Sequence, residues 1–259
     1  MNPRVNKPRM EGSSSPGRAR FKYENSKKAI PYFFDLIDEF YHQKRIERFI
    51  KNNQIKLENF VDVGSFKGKY TDLILKIEQK CKVIMIEPQR KYYELLKNKY
   101  QNDRRVEIFN IGISDKKTKL NLKINKHEIT STFSNFKDTS KYLNLKAILF
   151  ESNLKNMTQS EENVMVFQLD EILKDKNFQH LDLLKIDTEG HEYEVLYGTM
   201  NYLKKIKYIL IEIHINKIYE NYDPEKIHNF LLENNFSLLK IFDFPFTTWQ
   251  DRLYKNSKF

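Results

Sequence analysis

Four acids and a histidine are spaced along this chain as if to serve one ligand. Asp62 closes the apolar run "NFVDVG", Glu87 closes "KVIMIEP" and Asp187 closes "DLLKID". Glu189 and His191 follow at once in "TEGHE". The first acid stands beside two glycines, Gly64 and Gly68, in a G-x-x-x-G pattern. A dinucleotide cradle needs G-x-G-x-x-G, so that backbone can approach a pyrophosphate. Here the spacing differs, and the Asp62 carboxylate would oppose a pyrophosphate. It would favour a cation such as an α-ammonium group, while Lys67 and Lys69 keep a phosphate ligand open. Glu87 lies 23 positions after Gly64 and precedes Pro88. An acid about 20 residues beyond a glycine turn can accept hydrogen bonds from ribose hydroxyls. Together the two segments point to a nucleoside.

The second set lies in "LLKIDTEGHEYEVLYG", residues 183–198. Acids in a first helical turn complement the helix dipole by about 0.3–1 kcal/mol each, which accounts for Glu192 and Glu194. It does not account for Asp187 or His191. A histidine titrating near neutrality beside carboxylates is a credible proton acceptor. Glu212 and His214 alternate in "YILIEIHI" and so share one face of a strand. Substrate binding, a metal ion and a polar strand end satisfied by backbone are all open to them. Trp249, in the aromatic "FDFPFTTWQ", is read as core, with sugar stacking as the alternative.

The elements that must position these residues alternate. "NFVDVG", "KVIMIEP", "VEIFNIGIS", "DLLKID", "YILIEIHI" and "FSLLKIF" read as strands, with residues 247–255 a candidate seventh. "KYTDLILKI", "RKYYELLKNKY" and the stretch from "EGHEYEVLYGTMNYL" read as helices. Asp223 and Pro224 form an N-cap and first position for another. Near-continuous apolar strands alternating with helices imply an α/β, doubly wound, mostly parallel sheet covered on both faces. Ligands there bind beyond the carboxyl ends of the strands. Residues 26–52 carry Ile37, Phe40, Tyr41, Ile46, Phe49 and Ile50 at helical spacing. The organisation expected is a disordered basic tail at 1–20, a helical segment at 21–58 and one catalytic domain at 59–259. A polar insertion at about 124–163 has the length and placement of a lid or substrate loop.

Composition narrows the class. The formal net charge is +10, and residues 1–20 hold five Lys/Arg against one acid. A basic balance allows nucleic acid, anionic lipid or an acidic substrate. Cys81 is the single cysteine, which excludes an internal disulfide framework and a cysteine-cluster metal site. No apolar run approaches the ~18 residues of a membrane span, and no secretory leader is apparent. A cytoplasmic enzyme is expected.

"FVDVGSFKGKYT", "VIMIEP", "IGISD", "LDLLKIDTEGHEYEVLYG" and "ILIEIH" resemble, in order, the motifs of FkbM-type methyltransferases. The resemblance covers about residues 59–215 and departs at Ser65 and Phe66, where the family has small residues or Asn. It implies the class I methyltransferase fold, a Rossmann-like seven-stranded sheet with an antiparallel last strand. It also implies S-adenosyl-L-methionine, which carries two cations and no phosphate, and so removes the need for the pyrophosphate spacing. On this resemblance the cofactor residues are Asp62, Gly64, Gly68, Tyr70, Glu87, Pro88, Gly112, Ser114, Asp115 and Asp187. Asp187, His191 and Glu189 are the catalytic candidates. Ser131, Thr132, Glu212 and His214 are the substrate candidates, and no metal site is assigned. The implied reaction is O-methylation of a hydroxyl on a sugar, glycan or natural product. The alternatives are an RNA or DNA methyltransferase, an inactive methyltransferase-like binding module and, more distantly, a nicotinamide oxidoreductase.

Overall fold

The computed structural model describes residues 37–126, 128–137, 158–176, 178–245 and 247–259. The basic tail at 1–20 and the middle of the 124–163 insertion lie outside these residues. A short π-helical turn at Asp38–His42 leads into α1, Gln43–Asn52. There follow β1 (Asn59–Val63), α2 (Lys69–Ile77), β2 (Lys82–Ile86), α3 (Arg90–Tyr100) and β3 (Val106–Phe109). Then come β4 (Gly112–Ile113), β5 (Thr118–Asn125), β6 (Thr158–Phe167), α4 (Leu169–Leu173), β7 (Leu181–Ile186) and α5 (Glu192–Tyr197). The chain closes with β8 (Ile206–His214), α6 (Pro224–Glu233), β9 (Phe236–Asp243) and β10 (Trp249–Asn256).

Seven strands form one sheet in the order β3-β2-β1-β7-β8-β10-β9. β1, β2, β3, β7 and β8 run parallel to their neighbours. β10 inserts antiparallel between β8 and β9. Strand order reverses between β1 and β7, so the carboxyl ends of those two strands diverge from their following turns and leave a crevice.

The two faces of the sheet differ. One carries Val61, Val63, Ile84, Leu184, Ile186, Ile209 and Ile211 into a core closed by α4, α5 and α6. The other carries Phe60, Val83, Met85, Leu183, Leu210 and Leu253 under α1, α2 and α3. Because side chains alternate along a strand, the second face also receives Asp62, Lys185, Asp187, Glu212, His214 and Asp251. Its amino-terminal half is apolar and its carboxyl-terminal half is charged. This gradient is what builds the site.

Four sequence readings need correction. "VEIFNIGIS" is not one strand: β3 stays in the main sheet, while β4 leaves it and pairs with β6. The polar insertion is not irregular at its ends, since β5 and β6 pair antiparallel and make a second sheet in the order β4-β6-β5. Its outer positions are polar because that sheet faces solvent on one side. The helix after "EGH" spans only Glu192–Tyr197. It ends at Gly198, where a Cβ would stand 2.0 Å from the Ser114 carbonyl oxygen. Tyr41, read with the helical apolar stripe, is half exposed, with Arg45 over its ring. Asp223 caps α6 through the Glu225 N–H, with Pro224 at the first helical position, as its residue type favours.

Candidate active site

A cleft enclosing about 860 Å³, part of it open to solvent, lies over the carboxyl ends of β1, β2 and β7. Gly64, Tyr70, Glu87, Pro88, Gly112, Ser131, Thr132, Asp187 and Glu189 line it. Phe66, Lys67, Lys69 and Thr188 line it too. Asp62, Gly68, Ser114, Asp115, His191, Glu212 and His214 do not.

The glycine turn is shaped by backbone conformation. Gly64 (φ +81°) and Gly68 (φ +74°) are both left-handed, a region that only glycine enters freely. A Cβ on Gly64 would stand 1.8 Å from the Asp187 carbonyl oxygen, so β1 and β7 approach closely there. Gly68 faces away from the cleft, and its Cβ would meet Tyr100, Leu96 and Met85. Its glycine therefore serves α2–α3 packing rather than approach to a ligand. Phe66 is itself at φ +45° and packs against Tyr92, the rings tilted with centroids 4.1 Å apart. Its N–H donates to Glu87 Oε2 at 2.7 Å, while the Gln89 N–H donates to Oε1 at 2.8 Å. These bonds orient Glu87 on the cleft wall. Burial raises its pKa to about 7, although the same two N–H groups pull it down.

Asp62 sits beneath the floor and is 1% exposed. It accepts from Thr71 Oγ1 at 3.0 Å and lies 3.5 Å from Lys185 Nζ. Lys185 in turn lies 3.0 Å from Asp187 Oδ2 and under the Tyr70 ring. Burial would depress the ammonium, but Asp187, Asp62 and Asp251 hold its pKa above the ordinary lysine value. The expected direct contact of Asp62 with an ammonium group is thus replaced by an internal ion pair. Lys185 was not singled out in the sequence, although a lysine inside the apolar "DLLKI" is a signal that a buried carboxylate faces it. The same wall continues through Asp251. Its carboxylate accepts from Tyr70 and lies 2.9 Å from His42 Nε2. Burial pushes its pKa up, but His42 and Tyr70 hold it below the ordinary value.

Asp187, with about a third of its side chain exposed (32%), and Glu189 are the catalytic candidates that reach the cleft. Glu189 occupies a left-handed position (φ +52°) before Gly190 (φ +96°). Glu192 holds that turn, accepting from the Thr188 and Gly190 N–H groups and the Thr188 hydroxyl at 3.0–3.1 Å. It is buried, which raises its pKa to about 7 despite His214 and those N–H donors. Its role is to cap the turn, beyond complementing the dipole.

His191 falls on the far side of this turn. Its Nε2 lies 3.0 Å from Ser114 Oγ, and its ring packs on Phe133. Ser114 also donates to Asp115. Ser114, Asp115 and His191 therefore form a separate cluster that does not line the cleft. Ser131 and Thr132 do line the cleft, but their hydroxyls are engaged. Ser131 donates to the Glu128 carbonyl at 2.8 Å, and Thr132 donates to the Glu189 carbonyl at 2.5 Å. They shape the loop rather than offer free groups to an acceptor. Glu212 and His214 do not line the cleft but back Glu189, with His214 Nε2 3.4 Å from Glu189 Oε2. Trp249 stacks on Phe244 at 4.0 Å and meets His42 edge-on, a packing role.

Comparison with known proteins identifies the family. Residues 62–238 match the family described as "Methyltransferase FkbM domain". Hexuronic acid methyltransferase AglP of Haloferax volcanii is 29% identical over 83 residues, covering 32% of this chain and 33% of that protein. The crystal structure of methyltransferase FkbM from Methylobacillus flagellatus superposes with a TM-score of 0.50 at 16% identity. That superposition covers 77% of this chain and 43% of the other. TrmK of M. capricolum, solved with S-adenosyl-homocysteine, gives 0.48 at 7% identity over 84% of this chain and 68% of its own. The matched region thus spans about a third of the curated relative and less than half of the M. flagellatus chain. At such identities the solved structures speak to fold, whereas the family match covers most of the chain. The chain belongs to the FkbM methyltransferase family.

Proposed function

We propose that this protein transfers a methyl group from S-adenosyl-L-methionine to a hydroxyl oxygen of a sugar or glycan. The observation that carries the reading is the acid-rich wall of the cleft, where Glu87, Asp187 and Glu189 stand together at adjacent strand ends. Carboxylates on a cleft wall favour a cationic ligand, and Glu87 and Glu189, with Asp187 already paired to Lys185, suit a nucleoside that carries two positive groups. A pyrophosphate would be repelled by the same wall. When bound, S-adenosyl-L-methionine supplies a methyl group already activated by a sulfonium.

The chain's own residues then have distinct tasks. Glu87, pinned by two N–H donors, presents its remaining lone pairs to vicinal ribose hydroxyls. The Gly64–Tyr70 turn and Pro88 enclose the ligand from the sides. Asp187 offers a carboxylate to a cationic group, with Lys185 fixing its orientation from below. Glu189 is the carboxylate placed to align an acceptor hydroxyl and receive its proton, held by the Tyr219 hydroxyl and by its left-handed backbone. A sugar acceptor is supported by the Haloferax relative, a hexuronic acid methyltransferase. The acid-rich wall weighs against a nucleic-acid backbone as acceptor.

Titration calorimetry with S-adenosyl-L-methionine and, separately, NAD tests the donor. Mass spectrometry of uronic acids and neutral glycans after incubation tests the acceptor. Donor binding with a methylated hydroxyl on a sugar is expected. Preference for NAD, or methylation confined to RNA or DNA, would overturn the proposal.

A further inference from the structure

Behind Glu189, three potential metal ligands converge. Glu212 and His214 are two apart on β8 and project from one face. Glu189 follows β7, the strand beside β8, so all three meet at neighbouring carboxyl ends. His214 Nε2 lies 3.2 Å from Glu212 Oε2 and 3.4 Å from Glu189 Oε2. The three ligand atoms all fall within 4.8 Å of one another. A divalent ion about 2.0–2.2 Å from each donor requires donors roughly 3.0–3.5 Å apart at right-angled or tetrahedral geometry. The two imidazole distances meet that requirement without rearrangement.

A second observation is independent of spacing. Glu212 is 7% exposed and His214 4%. Among the described residues, neither Glu212 Oε2 nor His214 Nε2 has a hydrogen-bond partner. Each stands within ion-pair distance of the other, yet not in hydrogen-bond geometry. Buried polar atoms are nearly always hydrogen-bonded; these two face each other only as an ion pair at 3.2 Å, and a divalent cation would take the place of the imidazole proton between them. The surroundings resemble the outer shell of a metal site, in which ligands are themselves held. Tyr219 donates its hydroxyl to Glu189 Oε2, and the His214 ring is fixed edge-on by Tyr219 and Tyr222 at 5.2 and 5.9 Å.

We propose that Glu189, Glu212 and His214 form a binding site for one first-row divalent cation, such as Mn²⁺ or Zn²⁺. A donor set of one imidazole and two carboxylates suits those ions better than calcium or magnesium, which favour oxygen alone. Three protein ligands leave coordination positions open, and Glu189 brings one side of the ion to the cleft wall. There the ion would hold the acceptor hydroxyl, or an adjacent one, close to Asp187. The site itself is independent of the methyl-transfer reading; its service to the acceptor rests on that reading.

Titration of the full chain with Mn²⁺, followed by electron paramagnetic resonance, tests it. One bound Mn²⁺ per chain is expected, with affinity at least tenfold weaker in Glu212→Gln and in His214→Gln, and unchanged in Glu87→Gln. Absence of binding up to millimolar Mn²⁺, or equal affinity in all variants, would overturn the site. Should either variant fail to fold, anomalous scattering from wild-type crystals soaked in Mn²⁺ decides: a peak among the three side chains supports the site, and none rejects it. Chelation is expected to lower methyl transfer at least tenfold while leaving donor affinity unchanged. Mn²⁺ bound at the three residues in a protein that methylates no acceptor would uphold the site and reject the methyl-transfer reading instead.

Discussion

Replacing Lys185 by Met tests the floor of the cleft. Lys185 and Asp62 are 2% and 1% exposed, and their charged atoms lie 3.5 Å apart. Removing one partner of a buried pair strands the other and costs about 3–5 kcal/mol. Asp187, the second partner, has a side chain about a third exposed, so water screens its loss. Asp62 also keeps its bond from Thr71. The lower end, about 3 kcal/mol at pH 8, is therefore expected for Lys185→Met. The assay is urea unfolding of Lys185→Met, Asp62→Asn and the double variant. The double variant should recover about 1.5 kcal/mol or more, because the stranded charge is gone. The sign with pH is fixed by Asp62. Burial already raises its pKa, and losing Lys185 raises it further. The deficit is largest where the carboxylate is ionised and shrinks on acidification, as the carboxyl takes up a proton. A cost below about 1 kcal/mol at pH 8 is that of a surface pair. That result, or a double variant no more stable than Lys185→Met, would refute the buried-pair account.

Three further outcomes are expected. Glu87→Gln should weaken S-adenosyl-L-methionine binding roughly 10- to 100-fold by calorimetry, the range for hydrogen bonds to a charged group. In the ligand-free protein, the raised Glu87 pKa of about 7 contributes stability that is present below the unfolded value and lost as pH rises towards 7. Melting curves of Glu87→Gln should fall less steeply between pH 5 and 7.5 than those of the wild type. Gly190→Ala places a methyl 2.4 Å from the Tyr219 ring at φ +96°, and should destabilise by about 2 kcal/mol or more in urea while lowering methyl transfer through Glu189. His191→Gln, made outside the cleft lining, should lower turnover less than about tenfold, since it leaves the positioned carboxylates in place. A hundredfold loss of kcat in a variant of unchanged stability would return His191 to the chemistry.

Much of the frame was legible locally. α2 and α3 begin and end where "KYTDLILKI" and "RKYYELLKNKY" do, because a 3.6-residue apolar period needs no distant information. β1, β2, β7 and β8 were readable as apolar runs ending in acids, and the rule for parallel sheets placed those acids at the ligand edge. β5 and β6 were not readable as a pair, since their half-exposed faces dilute the apolar signal and their partners lie 33 to 48 residues apart.

The residue types and their spacing alone determined that carboxylates would collect at the open ends of a parallel sheet, and that the glycine turn lacks the spacing of a pyrophosphate cradle. Tertiary structure alone decided which of those groups meet. It buried Asp62 against Lys185, turned His191 toward Ser114, engaged the Ser131 and Thr132 hydroxyls in their own loop and brought Glu212 and His214 up behind Glu189. Alternation along a strand specifies the face a side chain takes. The groups it finds there depend on strand order and register, which distant segments set together.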